Sequence, residues 1–232
     1  DSALVLGHIE IDDKSNEIPA VQRLISELGL AGCVVTADAM HCQKTFRCAA
    51  VASCQLIVQV KSNQPSLLTA ITQFCRDNPT SQGHRSLDDK ARSRHEERRT
   101  EVFALGDALA DSDWHRLVKA VVRVERNRLD RNAKTGLWKA SSETAYYVAN
   151  FEPTPSDAAH AIRQHWGIEN RHRYTRDGTM GEDASRVRKN HGIMARIRSF
   201  TANIMRANKV TNMTDTRYRN ALGGIDYLAL YA

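Results

Sequence analysis

The sequence predicts an α/β protein, a sheet flanked by helices, on two observations. The first 76 residues alternate short apolar runs with helical periodicity in the order strand, helix, strand, helix, strand, the pattern of parallel neighbours joined by crossover helices. Within it, "GCVVTADAM" is a run of small and β-branched residues opened by Gly32, which suits a strand covered on both faces.

Taken in order, residues 3–11, "ALVLGHIEI", read as an opening strand. In "KSNEIPAVQRLISELGL", Pro19 suits a first helical turn, Val21, Leu24, Ile25 and Leu28 recur at helical spacing, and Gly29 stops the pattern. The strand ending at Asp38 is followed by a helix through "QKTFRCAAVA", a strand in "CQLIVQV" and a helix around "SLLTAITQFCRD". Residues 77–100 are densely charged without an apolar period, which predicts an exposed loop. "WHRLVKAVVRVERNRL" and "SSETAYYVANF" flank the turn-like "DRNAKTG" and predict a β-hairpin, packed by Trp114 and Trp138. Ser156 or Asp157 should cap the helix that follows, "SDAAHAIRQHWGIENRHRY". A closing helix, capped by Asp183, should carry Ile193, Ile197, Phe200, Ile204 and Met205 on one face. The organisation expected is a first core part over 1–76, a charged loop and hairpin insertion over 77–153, a helical second part over 154–208, and a tail over 209–232.

Thirty-three Lys and Arg against 27 Asp and Glu leave a net charge of +6, which favours a polyanionic partner. No apolar run is long enough to span a membrane and no signal peptide is recognisable, so a cytoplasmic location is expected. Cys33, Cys42, Cys48, Cys54 and Cys75 lack the paired spacing of a zinc site and read as reduced thiols. The start at Asp1, running directly into a patterned segment, reads as a chain cropped or broken at its front.

Asp38 stands at a strand's carboxyl end, where α/β sheets hold ligands; it suits that role or a helix cap. Helical spacing brings Ile162, His165, Trp166 and Glu169 near one face, with Trp166 as a core anchor and Glu169 either a surface residue or a site acid. If Asp38 and Glu169 meet, they can hold magnesium or manganese. Arg171, Arg173, Arg176, Arg186 and Arg188 could then neutralise phosphates. Lys61, Asn63 and Gln64 follow a strand and fit either DNA contact or a polar turn, whereas His95, Glu96 and Arg98 fit a solvated surface.

"VVTADAMHCQK", "VQVKSNQPSLL", "RHEERR", "IRQHWGIEN" and "GEDASRVRK" resemble, in that order, motifs of the ISAs1-type insertion-sequence transposases, also called H-repeat-associated proteins, of the DDE group. The resemblance runs from about residue 4 to about residue 208. It implies an RNase H-like mixed sheet with flanking helices and a partly β insertion, whose first strands lie upstream of this sequence. It also implies that Asp38 is the second acid of the catalytic triad and Glu169 the third. The first acid belongs to an Ile-Asp-Gly-Lys motif that this sequence lacks, and neither Asp12 nor Asp13 is placed to replace it. Positions often held by tyrosine, arginine and lysine in the wider group fall on Ile162, His165 and Arg176. The implied activity is cleavage and joining of double-stranded DNA, at element ends and target, by two magnesium or manganese ions roughly 4 Å apart. The DNA contacts expected are Lys61, Gln64, His165, Arg176, Arg186 and Arg188. A homodimer, nucleoid-associated when bound to DNA, is expected. Without the first acid and strand, impaired catalysis and marginal stability are expected. The rivals are a DNA-binding relic and an RNase H-like nuclease that does not join strands.

Overall fold

The computed structural model describes residues 4–9, 17–42, 44–79, 83–90, 93–106, 108–110, 112–167, 175–187 and 189–224. It divides into two compact units, Asn16–His165 and the pair of segments Asp1–Ser15 and Trp166–Ala232.

The first unit holds α1 (Glu17–Glu27), β1 (Val34–Ala37), a 3-10 turn (Ala39–His41), α2 (Lys44–Val51), β2 (Gln55–Val60), α3 (Pro65–Asp77), β3 (Gly83–Lys90), β4 (Arg94–Ala104), β5 (Ala120–Arg131), β6 (Trp138–Ala149) and all but the last turn's end of α4 (Pro155–Gly167). The helices start and stop as their residue chemistry dictates: Gly29, at φ +59, ends α1, and Pro65 opens α3 at a position that needs no N–H. The six strands form one mixed sheet in the order β1-β2-β6-β5-β4-β3. Only β1 and β2 run parallel, with Val34 beside Gln55 and Ala37 beside Val58; β2 is antiparallel to β6, and the rest form an antiparallel meander.

Alternation along the strands divides the core into two layers. Leu56, Val58, Val121 and Val148 face Ile25, Phe46, Ala49, Ile71 and Cys75 from the first three helices. Ile57, Val122 and Tyr147 face Ala158 and Ile162 of α4. β2 is thus covered on both sides, as its unbroken apolar run requires. Where β6 ends, the Asn150 side chain continues the pairing: its Oδ1 accepts from Leu56 N–H at 2.7 Å and its Nδ2 donates to Cys54 O at 2.9 Å.

Several expectations need correction. Residues 77–100 are not a loop, because most of them form β3 and the first half of β4. The charge density that hid these strands is neutralised across the ladder. Glu101, only 1% exposed, accepts from Arg123 at 2.5 and 2.8 Å and lies 2.9 Å from an Arg99 nitrogen. Glu96, 6% exposed, accepts from Arg98 at 2.6 Å and Arg126 at 2.8 Å. Arg85 pairs with Glu97 from β3 to β4. The hairpin is present as β5 and β6, its turn held by Asn132 Oδ1 accepting from the N–H groups of Lys134 and Thr135. Trp114 packs edge-on against Phe46 of α2, 5.9 Å between ring centres, and it is Trp138 that lies on the hairpin, beside His95 of β4. The cap of α4 is Thr154: its Oγ1 accepts from Asp157 N–H at 3.1 Å and donates to the Asp157 carboxylate at 2.7 Å.

In the second unit, residues 4–9 form no strand. The side chain of Asn203 serves as their partner, accepting from Val5 N–H at 2.9 Å and donating to Val5 O at 2.7 Å, while His8 Nε2 meets Ser199 Oγ at 2.8 Å. Both residues lie on α5 (His191–Ala207), which begins well past Asp183, so that aspartate does not cap it. Its buried side is Ala202 and Met205, packed with Met180 and Met213, and Ile193, Ile197 and Phe200 are exposed. The expected tail contains α6 (Met213–Gly223), capped by Asn212 Oδ1 accepting from Asp215 N–H at 3.0 Å. Trp166 is 43% exposed, and Ala158 and Ile162 are the residues of α4 that enter the core. Among the described residues no helix is long and apolar enough to cross a membrane.

The five thiols are free, and three of them, Cys42, Cys54 and Cys75, are buried. Burial pushes Cys42 up to about 12 and Cys75 up to about 11.

Candidate active site

β1 ends at Ala37, and the next residue leaves the sheet in an extended conformation, Asp38 at φ −65 and ψ 160. Its carbonyl accepts from His41 N–H at 2.9 Å and starts the 3-10 turn, but its side chain makes no capping bond. The capping role therefore fails. Instead His165 Nε2, from the last turn of α4, approaches Asp38 Oδ1 at 3.1 Å, and His165 Nδ1 lies 3.1 Å from Thr36 Oγ1. Thr36 and Asp38 sit two residues apart, so strand alternation turns both toward the same imidazole. With an ionised Asp38 as acceptor, Nε2 carries the hydrogen, and in the neutral ring Nδ1 accepts from the Thr36 hydroxyl. The carboxylate is held in direction while its side chain stays 76% exposed.

The turn after Asp38 is braced from below. Asn63 Nδ2 donates to Ala39 O at 2.8 Å, and Gln64 Nε2 donates to Cys42 O at 3.2 Å. "KSNQP" thus ties the end of β2 to the turn that presents Asp38, and Lys61 is exposed at its start. Asp38, Gln64 and His165 come together around this turn. Of the two described site residues in the other unit, Arg186 is exposed, and Arg176 forms a two-bond pair with Glu182 at 2.5 and 2.6 Å. That guanidinium holds the Glu182 carboxyl below its ordinary range, with Arg198 and His8 adding to the effect. Glu169 and Arg188 lie outside the described residues, as do Asp12, Asp13, Arg171 and Arg173.

An exposed carboxylate on a rigid strand end is the donor that hard divalent cations take. Among the described residues, no group of three or more His, Cys, Asp or Glu stands ready for a metal. Asp38 fits such an ion as one ligand of an incomplete set. What the sequence reading missed was the contact of His165 and Thr36 with Asp38. The spacing of Thr36 from Asp38 in the strand was the one signal for it.

Against known families, the "Transposase DDE domain" model matches residues 3–204. The chain is 30% identical over 217 residues to "Putative protein YbfL" and to "H repeat-associated putative transposase YhhI", both of Escherichia coli K12, covering 90% of this chain and 56% of each relative. It is 27% identical over 215 residues to "Putative transposase YncI" of Escherichia coli O157:H7, covering 89% of this chain and 54% of the relative. The chain spans about half the length of the curated relatives it matches.

Proposed function

The chain belongs to the Transposase DDE domain family, and from that premise we propose that it is part of a catalytic core that cuts DNA and joins it to a target by phosphoryl transfer. The observation that carries this reading is the end of β1: Asp38 projects from the carboxyl end of a strand with a parallel neighbour, does not cap, and is oriented by His165. The sheet then reads as RNase H-like, with β3 to β6 as its inserted part, and residues 1–76 and 154–208 as the two parts of the core. Asp38 and Glu169 would hold magnesium or manganese, which supplies an activated oxygen nucleophile and stabilises the leaving oxygen. His165 keeps the Asp38 carboxylate directed through its N–H, and Thr36 selects the ring tautomer that can donate. Asn63 and Gln64 keep the turn from shifting that carboxylate. Lys61, Arg176, Arg186 and Arg188 are candidate contacts to the DNA backbone, the partner that the family implies, with a homodimer as the working assembly.

Manganese binding followed by water-proton relaxation tests the ligand assignment. Asp38→Asn and Glu169→Gln should each weaken binding by about tenfold or more, as loss of a charged ligand requires. Unchanged binding in both variants would sink it.

A second reading is that the chain binds DNA without cutting it, and the net charge of +6 favours it. Incubation with supercoiled plasmid and magnesium separates the possibilities: free ends alone indicate a nuclease, joined 3′ ends a transposase, and salt-sensitive binding without nicks the second reading.

A further inference from the structure

Away from the strand end that carries Asp38, α4 and the far half of β3 and β4 enclose a cavity of about 170 Å³. His84 and Ser86 reach it from β3, Arg98 and Thr100 from β4, and Ser156 and Arg163 from α4. The strand register accounts for this convergence. His84 lies opposite Thr100 and Ser86 opposite Arg98, so all four side chains share the sheet face that α4 covers. On the helix, Ser156 and Arg163 are two turns apart on one side, with His160 between them also lining the cavity. We propose that this cavity binds a phosphoryl oxyanion, taken either from the DNA backbone or from a small phosphate-bearing molecule.

Charge, geometry and size support that ligand. Arg98 uses its Nε for Glu96, and Arg163 uses one Nη for Asp88 at 2.5 Å, so each guanidinium keeps further donors. The two lining guanidiniums are each paired to one carboxylate, Arg98 to Glu96 and Arg163 to Asp88, and Glu96 is shared with Arg126, which also lies 3.9 Å from Glu143. Hydroxyls from Ser86, Thr100 and Ser156 add neutral donors. Val124, Ala159 and Ile162 also line the cavity and lower its local dielectric, which strengthens the attraction of guanidinium for oxyanion. At about 170 Å³ the cavity has room for one phosphate group. None of these residues belongs to the site around Asp38, and four of the ten lie in the stretch whose charge pattern predicted a loop.

The DNA source rests on the function proposed above, but the oxyanion site does not. Inorganic phosphate is titrated into the full chain while the melting temperature and the histidine ring signals in NMR spectra are followed, and a fluorescent random duplex is bound across a salt series. Two variants are compared with the parent. Arg163→Gln removes a half-exposed cation. Ser86→Glu places a carboxylate opposite Arg98, filling the site with a charge of the ligand's own sign while leaving Arg98 a partner, so the fold should melt no lower. Phosphate should raise the parent's melting temperature and shift the His84 and His160 signals, and both variants should bind it about tenfold more weakly. With DNA as the source, phosphate competes with the duplex, and both variants lower the slope of log affinity against log salt by about one. Lost phosphate binding with unchanged duplex binding assigns the site to a small molecule and overturns the DNA source. Phosphate binding that is absent from the parent, or equal in parent and variants, overturns the site itself. A parent that fails to bind duplex at all counts against the proposed function, and the phosphate titration still decides the cavity.

Discussion

Removing Arg123 should test whether the charged strands are held by their ion pairs. Glu101 is almost wholly buried, and Arg123, directly opposite it on β5, supplies two of its three guanidinium contacts. Arg123→Leu leaves that carboxylate inside the sheet with only Arg99, whose side chain is 56% exposed. Loss of one partner from a buried pair costs about 3–5 kcal/mol; the remaining Arg99 contact puts the expectation near about 3 kcal/mol. For a chain of this size that lowers the melting temperature by about 6–12 °C. The Arg123→Leu, Glu101→Leu double variant should recover most of the loss, because apolar groups of similar volume replace a buried ion pair at little or no cost. Urea unfolding of the parent, the two single variants and the double variant supplies the cycle. An Arg123→Leu effect below about 1 kcal/mol, or a double variant as unstable as the sum of the singles, would refute the account of β4.

Three further outcomes are expected. His165→Ala should weaken manganese binding by about 10- to 100-fold, as loss of a ligand's orienting partner does, and equal relaxation titrations of variant and parent would rule out that role. Asn150→Leu leaves Leu56 N–H and Cys54 O without their partner and should destabilise the chain by about 1–3 kcal/mol in urea unfolding; no change would mean that β2 is held without this side chain. The Glu182 carboxyl is held below its ordinary value of 4.5 by Arg176, so its contribution to stability is present above that value and lost as pH falls through the lowered one. Glu182→Gln should therefore flatten the acid limb of a stability profile below about pH 4.5, and an unchanged limb would show that the pair does not contribute.

The segments that packing makes one-sided or uniformly apolar were legible from residue order alone. β2 needs an unbroken apolar run because helices cover both its faces, and α1 and α3 carry the helical spacing that a single buried face demands. The hairpin of β5 and β6 could be read for the same reason. β3 and the start of β4 could not: their carboxylates are neutralised by guanidiniums from their own strand, from neighbouring strands and from α4, and a linear sequence does not say which charges will be paired. α6 escaped notice because none of its described side chains is buried, so no apolar period marks it. The position of Asp38 at a strand end was likewise legible, down to the choice between a cap and a ligand.

Only folding rules out the cap, leaving the Asp38 side chain without a capping bond and bringing His165 from 127 residues away onto the carboxylate. The same long-range closure assembled the cavity of His84, Arg98 and Arg163, whose members share no motif. Local order determines which backbone state each segment prefers, since that depends on near neighbours and on one buried face. Which charges face one another is decided by strand register and helix docking, and these exist only once the sheet has formed.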